Sequence, residues 1–151
     1  MDKTELLALL KKTKAETLSY FDLTRDKLSK NYGQGKWNVR QILHHLTDVE
    51  FLIHGRLKKV IAEPKQVIWA FDQDQWNAAF QYIDAELGNK KAVYEMFREL
   101  NYELIDKYYD SFLSKEFVHS ETGLRTLKDE FEKVALHNQS HLNQIKIALE
   151  K

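Results

Sequence analysis

Trp37-Asn38-Val39-Arg40-Gln41-Ile42-Leu43-His44-His45-Leu46-Thr47-Asp48 carries a helix start in its first six residues. Asn38 offers a side-chain oxygen to cap the first turn, and Gln41, three residues on, can reach back to the cap's own amide. Trp37 outside the cap and Ile42 inside it can pack together and fix how the chain enters. Beyond the cap, Ile42, Leu46, Val49, Ile53 and Val60 fall in one narrow arc when each residue turns by about 100°. The spacing predicts an amphipathic helix from Asn38 to about Ala62.

The 151 residues include one proline and five glycines, too few to break the chain into many short elements. Gly33 and Gly35 precede the helix just described, Pro64 follows it, and Gly88 and Gly123 each precede another periodic stretch. A first helix is predicted from about Lys3 to about Lys30, with Leu6, Leu10, Thr13, Thr17 and Phe21 at helical spacing. A third runs from about Asn89 to Ser111, with Val93, Phe97, Leu100 and Leu104 on one side. A fourth starts near Thr126, with Asp129 at its third helical position, and continues through Leu149. Glu63 to Leu87 separates helices two and three, with Asp72 and Asp74 as candidate caps of a short helix. No repeat, low-complexity tract or linker divides the chain. Residues 1–151 are therefore expected to form one all-α domain, a four-helix bundle with a long crossover between helices two and three.

Composition narrows the function. Lys+Arg and Asp+Glu are both 23, so the net charge is zero and the basic excess of a nucleic-acid binder is missing. The chain has no cysteine, which excludes disulfides, thiolate metal sites and cysteine nucleophiles, so a metal would have to use His, Asp or Glu. Met1 to Leu10 is charged and unlike a signal peptide. No stretch approaches the roughly 18 uninterrupted apolar residues of a membrane span. A soluble, cytoplasmic protein with neither nucleic acid nor membrane as partner is expected.

Six histidines are present, and helical projection separates them. His45 lies on the shoulder of the second helix's apolar arc, roughly 60° from Ile42. His44 falls almost opposite, towards solvent or a partner, and His54 is also off the arc. In the fourth helix the apolar stripe is Leu127, Phe131, Val134, Ile145 and Ala148, with His141 inside it and His137 at its edge. Residues four apart stack on one helix face, so both imidazoles can reach one ion. A third nitrogen from His45 on a facing helix would complete a set with open positions. An inward histidine is also an ordinary hydrogen-bonded core residue, and spacing alone leaves both readings open.

The Trp37–Asp48 stretch resembles the helix-two signature of the DinB/YfiT-like superfamily, Trp-Ser/Asn-x-x-x-x-x-x-His-Leu-x-Asp. His137-Asn138-Gln139-Ser140-His141-Leu142-Asn143-Gln144-Ile145 is similar to its final-helix signature, His-x-x-x-His-x-x-Gln-Ile. His119-Ser120-Glu121-Thr122-Gly123-Leu124-Arg125-Thr126-Leu127 and the Trp69–Tyr82 region resemble the YfiT branch, so the likeness covers nearly the whole chain in order. It implies an up-down-down-up four-helix bundle, often homodimeric. It also implies a site for nickel, zinc or another divalent ion on His45, His137 and His141. The activities it implies are metal-dependent hydrolysis, or transfer of a low-molecular-weight thiol such as bacillithiol, acting on a small molecule.

Chemistry at such a site needs further groups. Asp48, one turn after His45, is a candidate catalytic base or a partner holding an imidazole; its ordinary reading is an exposed helix carboxylate. Gln144 could lean towards the site or sit at the bundle edge. Arg56 could bind an anionic substrate or make a structural ion pair, and Trp69, Phe71 and Trp76 could line a pocket or cover the core. His119 is expected in a loop near the bundle end. The competing functional reading is a non-catalytic dimeric interaction bundle whose metal is structural or absent.

Overall fold

The computed structural model describes residues 1–63 and 65–151, and the break expected at Pro64 lies outside the described residues. Four long helices carry the architecture: α1 (Lys3–Tyr20), α3 (Val39–Ala62), α5 (Lys90–Phe112) and α6 (Leu127–Glu150). Two short ones, α2 (Arg25–Leu28) and α4 (Gln73–Ala79), lie between them. The predicted cap of α3 is present in full: Asn38 Oδ1 accepts from Gln41 N at 2.8 Å, and Gln41 Oε1 accepts from Asn38 N at 2.8 Å. At α6, the Asp129 carboxylate accepts from Thr126 N at 2.8 Å. The first helix is shorter than its pattern. It stops at Tyr20, and Thr24 starts a separate turn that buries Leu28.

The buried stripes of α1, α3 and α6 are those the periodicity picks out. That of α5 is displaced by one residue. Val93 is 37% exposed, and the inward row is Tyr94, Arg98, Asn101, Ile105 and Tyr109. Polar side chains occupy the interior there, so hydrophobicity does not mark the inner face of that helix.

The core has two apolar clusters with a polar layer between them. Leu6, Leu10, Val49, Ile53, Ile105, Phe131 and Val134 belong to the first, and Phe21, Ile42, Leu46, Tyr94, Leu142 and Ile145 to the second. Thus α1 and α6 run from the first cluster to the second, and α3 and α5 run the opposite way, giving up-down-down-up order. This order has a consequence for the connection. The end of α3 and the start of α5 lie at opposite ends of the bundle, so the crossover must run along its length. Buried Thr13, Thr17, Glu50, Arg98, Asn101 and Asn138 form the layer between. Glu50 pairs with Arg98 at 2.5 Å and accepts from Asn101 Nδ2 at 2.8 Å, while Arg98 and Tyr94 both donate to Asn138 Oδ1.

A small sheet, absent from the all-helical expectation, closes the first-cluster end. β1 (Val67–Ile68) pairs in parallel with β2 (Glu116–His119), which pairs antiparallel with β3 (Gly123–Thr126). Gly123, at φ +75, allows the turn to close into β3. The hairpin leads straight into α6. Among the described residues no helix is long and apolar enough to cross a membrane.

Candidate metal centre

His45 comes from the second turn of α3 and His137 and His141 from successive turns of α6, beside the polar layer. The fold brings all three rings together. Nε2 of His137 lies 3.2 Å from Nε2 of His45 and 3.1 Å from Nε2 of His141. One nitrogen from each ring lies within 4.8 Å of the others. Nitrogens bound to one zinc-like ion at about 2.0–2.1 Å would stand about 3 Å apart, so the spacing fits a shared cation.

Protonation favours the same use. Burial, then the neighbouring rings of His137 and His141, pushes His45 down to about 2. Burial, then His141, Lys133 and Arg98, takes His137 to about 3. Burial also lowers His141, against the raising effect of its hydrogen bond to Gln144. All three are neutral near pH 7, the form that offers a lone pair. For His141 the free nitrogen is fixed. Gln144 Oε1 can only accept, so Nδ1, 2.7 Å away, donates and Nε2 keeps its lone pair for the cluster. Three neutral imidazole nitrogens facing one another suit a divalent ion.

Aromatic rings wall the cluster. Trp37 stacks on His141 at 6.1 Å between centroids and meets His45 edge-on at 5.0 Å. Phe71, from the crossover, lies over His45 at 6.1 Å. A cavity of about 180 Å³ opens on the His45 and His137 side, and one of about 310 Å³ on the His141 side; Gln73 lines both.

The sequence pattern that defines the DinB superfamily matches residues 4–145. This chain belongs to the DinB superfamily. Two relatives carry the name "Putative metal-dependent hydrolase". One, from Oceanobacillus iheyensis, is 31% identical over 84% of this chain and 73% of its own length. The other, from Halalkalibacterium halodurans, is 25% identical over 96% of this chain and 82% of its own. YfiT of Bacillus subtilis, described as "a probable metal-dependent hydrolase with an unusual four-helix bundle topology", superposes with a TM-score of 0.86. That match covers 95% of this chain and 83% of YfiT at 23% identity, and it shows the shared fold.

Within this DinB bundle the other singled-out residues divide. Gln144 leans into the site rather than sitting at the bundle edge. Asp48 stands apart from the three rings: its carboxylate accepts from Tyr82 Oη at 2.7 Å and faces Lys90 Nζ at 3.9 Å. Burial raises its pKa, while Tyr82 and Lys90 act to lower it. His44 does not face solvent. It is 1% exposed, stacks on Tyr82 at 4.2 Å and lies 3.2 Å from the Ala85 carbonyl, because the crossover folds back over that face of α3. His54 donates to Asn101 in the polar layer at 3.0 Å. Trp69 is 75% exposed, whereas Trp76 packs edge-on against Phe71 at 5.0 Å. Arg56 forms no ion pair among the described residues; it donates to the Trp69 carbonyl at 2.7 Å. His119 is a buried strand residue rather than a loop residue, and with Arg56 and Lys133 it lines the smaller cavity. Helix spacing could not find His119 or Gln73, because the hairpin and the crossover bring them to the site.

Proposed function

We propose that this chain is a metal-dependent hydrolase of a small molecule, with His45, His137 and His141 holding a divalent ion, nickel or zinc. The observation that carries this reading is the convergence of three neutral imidazoles, with Nε2 of His137 lying 3.2 Å from that of His45 and 3.1 Å from that of His141. The name shared by its relatives points the same way. When bound, such an ion lowers the pKa of a water molecule and polarises the bond to be cleaved. The chain's own residues do the rest. Three protein donors leave positions for water and substrate. Gln144 orients His141, and Trp37 and Phe71 limit the access of bulk water to the rings. The adjoining cavity of about 180 Å³ is smaller than a site for a drug-sized ligand, which favours a small substrate or one small group of a larger one.

Metal analysis of protein purified without an affinity tag tests the reading. About one ion per chain is expected, lost in His137→Ala with helicity preserved, together with turnover in a panel of small esters and amides. Turnover that requires an added low-molecular-weight thiol would assign S-transfer instead. Wild-type protein that holds no ion, and whose melting is unmoved by nickel or zinc, would overturn the proposal.

A further inference from the structure

The smaller cavity beside His45 and His137 has an opposite wall whose chemistry the three-histidine site does not use. His119 anchors it from β2 and is 7% exposed. Its Nδ1 accepts from the backbone amides of Glu121 at 3.2 Å and Thr122 at 3.4 Å. Amides can only donate, so the neutral ring carries its proton on Nε2. That N–H has no protein acceptor among the described residues, and the ring lines the cavity. Arg56, from α3, lines it too and has five donors, of which one goes to the Trp69 carbonyl and none to a carboxylate among the described residues. Lys133, one turn before His137, pairs among the described residues with buried Glu130 alone, at the long distance of 3.8 Å. Glu121 is the lining acid among the described residues, and it is exposed. Burial, then the charges of Lys133 and Arg56, lowers the pKa of His119, while the carboxylates of Glu130 and Glu121 act to raise it.

We propose that this wall is an oxyanion seat: Arg56, Lys133 and the Nε2–H of His119 bind a carboxylate or phosphate group of the substrate beside the three-histidine centre. The substrate class rests on the hydrolytic reading, whereas the anion site stands on its own geometry. Two cations and a neutral donor facing one small cavity match the several acceptor oxygens of such a group, and guanidinium–oxyanion contacts are among the strongest hydrogen bonds. Neither a neutral amide nor a cation would satisfy them.

The test titrates ion-free protein with inorganic phosphate, acetate and, as a neutral control, acetamide, following the imidazole resonances of His119 by NMR. Saturable shifts are expected with at least one of the two anions and none with acetamide, and the tighter anion names the group. In Arg56→Gln/Lys133→Gln, with the fold checked by circular dichroism, the anion should bind roughly tenfold more weakly. Absence of a saturable shift with either anion overturns the seat, as does an affinity unchanged in the double variant. Titrations of both proteins with nickel and with zinc separate the two readings. Anion binding in wild-type protein that takes up neither ion leaves the seat standing and removes the hydrolase, while uptake of either ion without any anion response removes the seat alone.

Discussion

Gln144 Oε1 lies 2.7 Å from Nδ1 of His141, and this contact decides which nitrogen of the ring faces its neighbours. Without that acceptor the proton can move to Nε2, where it would block the lone pair a metal needs. Gln144→Leu is expected to weaken nickel or zinc binding by about 10- to 100-fold, the usual effect of losing an orienting partner. Competition against a chromophoric chelator measures it. Gln144→Glu keeps an acceptor and should bind nearly as well as wild type. Equal affinities for wild type and Gln144→Leu would show that the contact orients nothing.

The cluster makes the ion-free protein acid-sensitive. The folded-state pKa values of His45 and His137, about 2 and about 3, lie below the ordinary 6.5, so protonation favours the unfolded chain. Their contribution is fully present above 6.5 and is lost as the pH falls from there towards the folded values. Within that window the unfolded chain binds more protons than the folded one, so stability should fall steadily with pH. Denaturant melts of ion-free protein at pH 7 and pH 5 should show a clear loss, smaller in His137→Ala. Protons and the ion compete for the same nitrogens, so metal affinity should rise with pH over this range. Equal pH slopes in wild type and variant would contradict this account.

Local features of this fold are legible in the sequence, and long-range ones are not. The cap at Asn38 and Gln41, the inward faces of α1, α3 and α6, and the His137–His141 stack all depend on residues within a few turns, and spacing exposes them. His45 could be matched to them because it sits near an apolar arc on a regular helix. The inner face of α5 was hidden, because Arg98 and Asn101 are satisfied by Glu50 and Asn138 on other helices. His44 reads as outward until the crossover covers it with Tyr82 and Ala85, 38 and 41 positions away by residue number. His119 needed the β2–β3 hairpin, whose pairing is not helical periodicity and whose site partners come from α3 and α6.

Asp48 offers a test of position against motif. It follows His45 by one turn, yet its carboxylate is engaged by Tyr82 at 2.7 Å, under the crossover. Asp48→Ala should therefore leave nickel binding intact and cost about 1–3 kcal/mol, because Tyr82 loses its acceptor in a partly buried place. Urea midpoints and a nickel titration on the same preparation give both quantities. Lost nickel binding in a folded Asp48→Ala protein would place the carboxylate in the metal site after all.

The Arg98–Glu50 pair is the polar layer's most exacting contact. Both side chains are almost fully buried, at 1% and 2% exposure, so neither charge has water to fall back on. Arg98→Met is expected to cost about 3–5 kcal/mol, because Glu50 stays buried with Asn101 as its remaining partner. Asn138 Oδ1 loses a donor in the same step, and its neighbour along α6 is His137, so ion affinity should fall with stability. Adding Glu50→Leu removes the stranded charge, and much of the lost stability should return, since apolar side chains of similar volume often replace a buried pair at little cost. Urea midpoints of the two single variants and the double variant give the coupling directly. Single variants within about 1 kcal/mol of wild type would mean that the layer is hydrated and the pair weak.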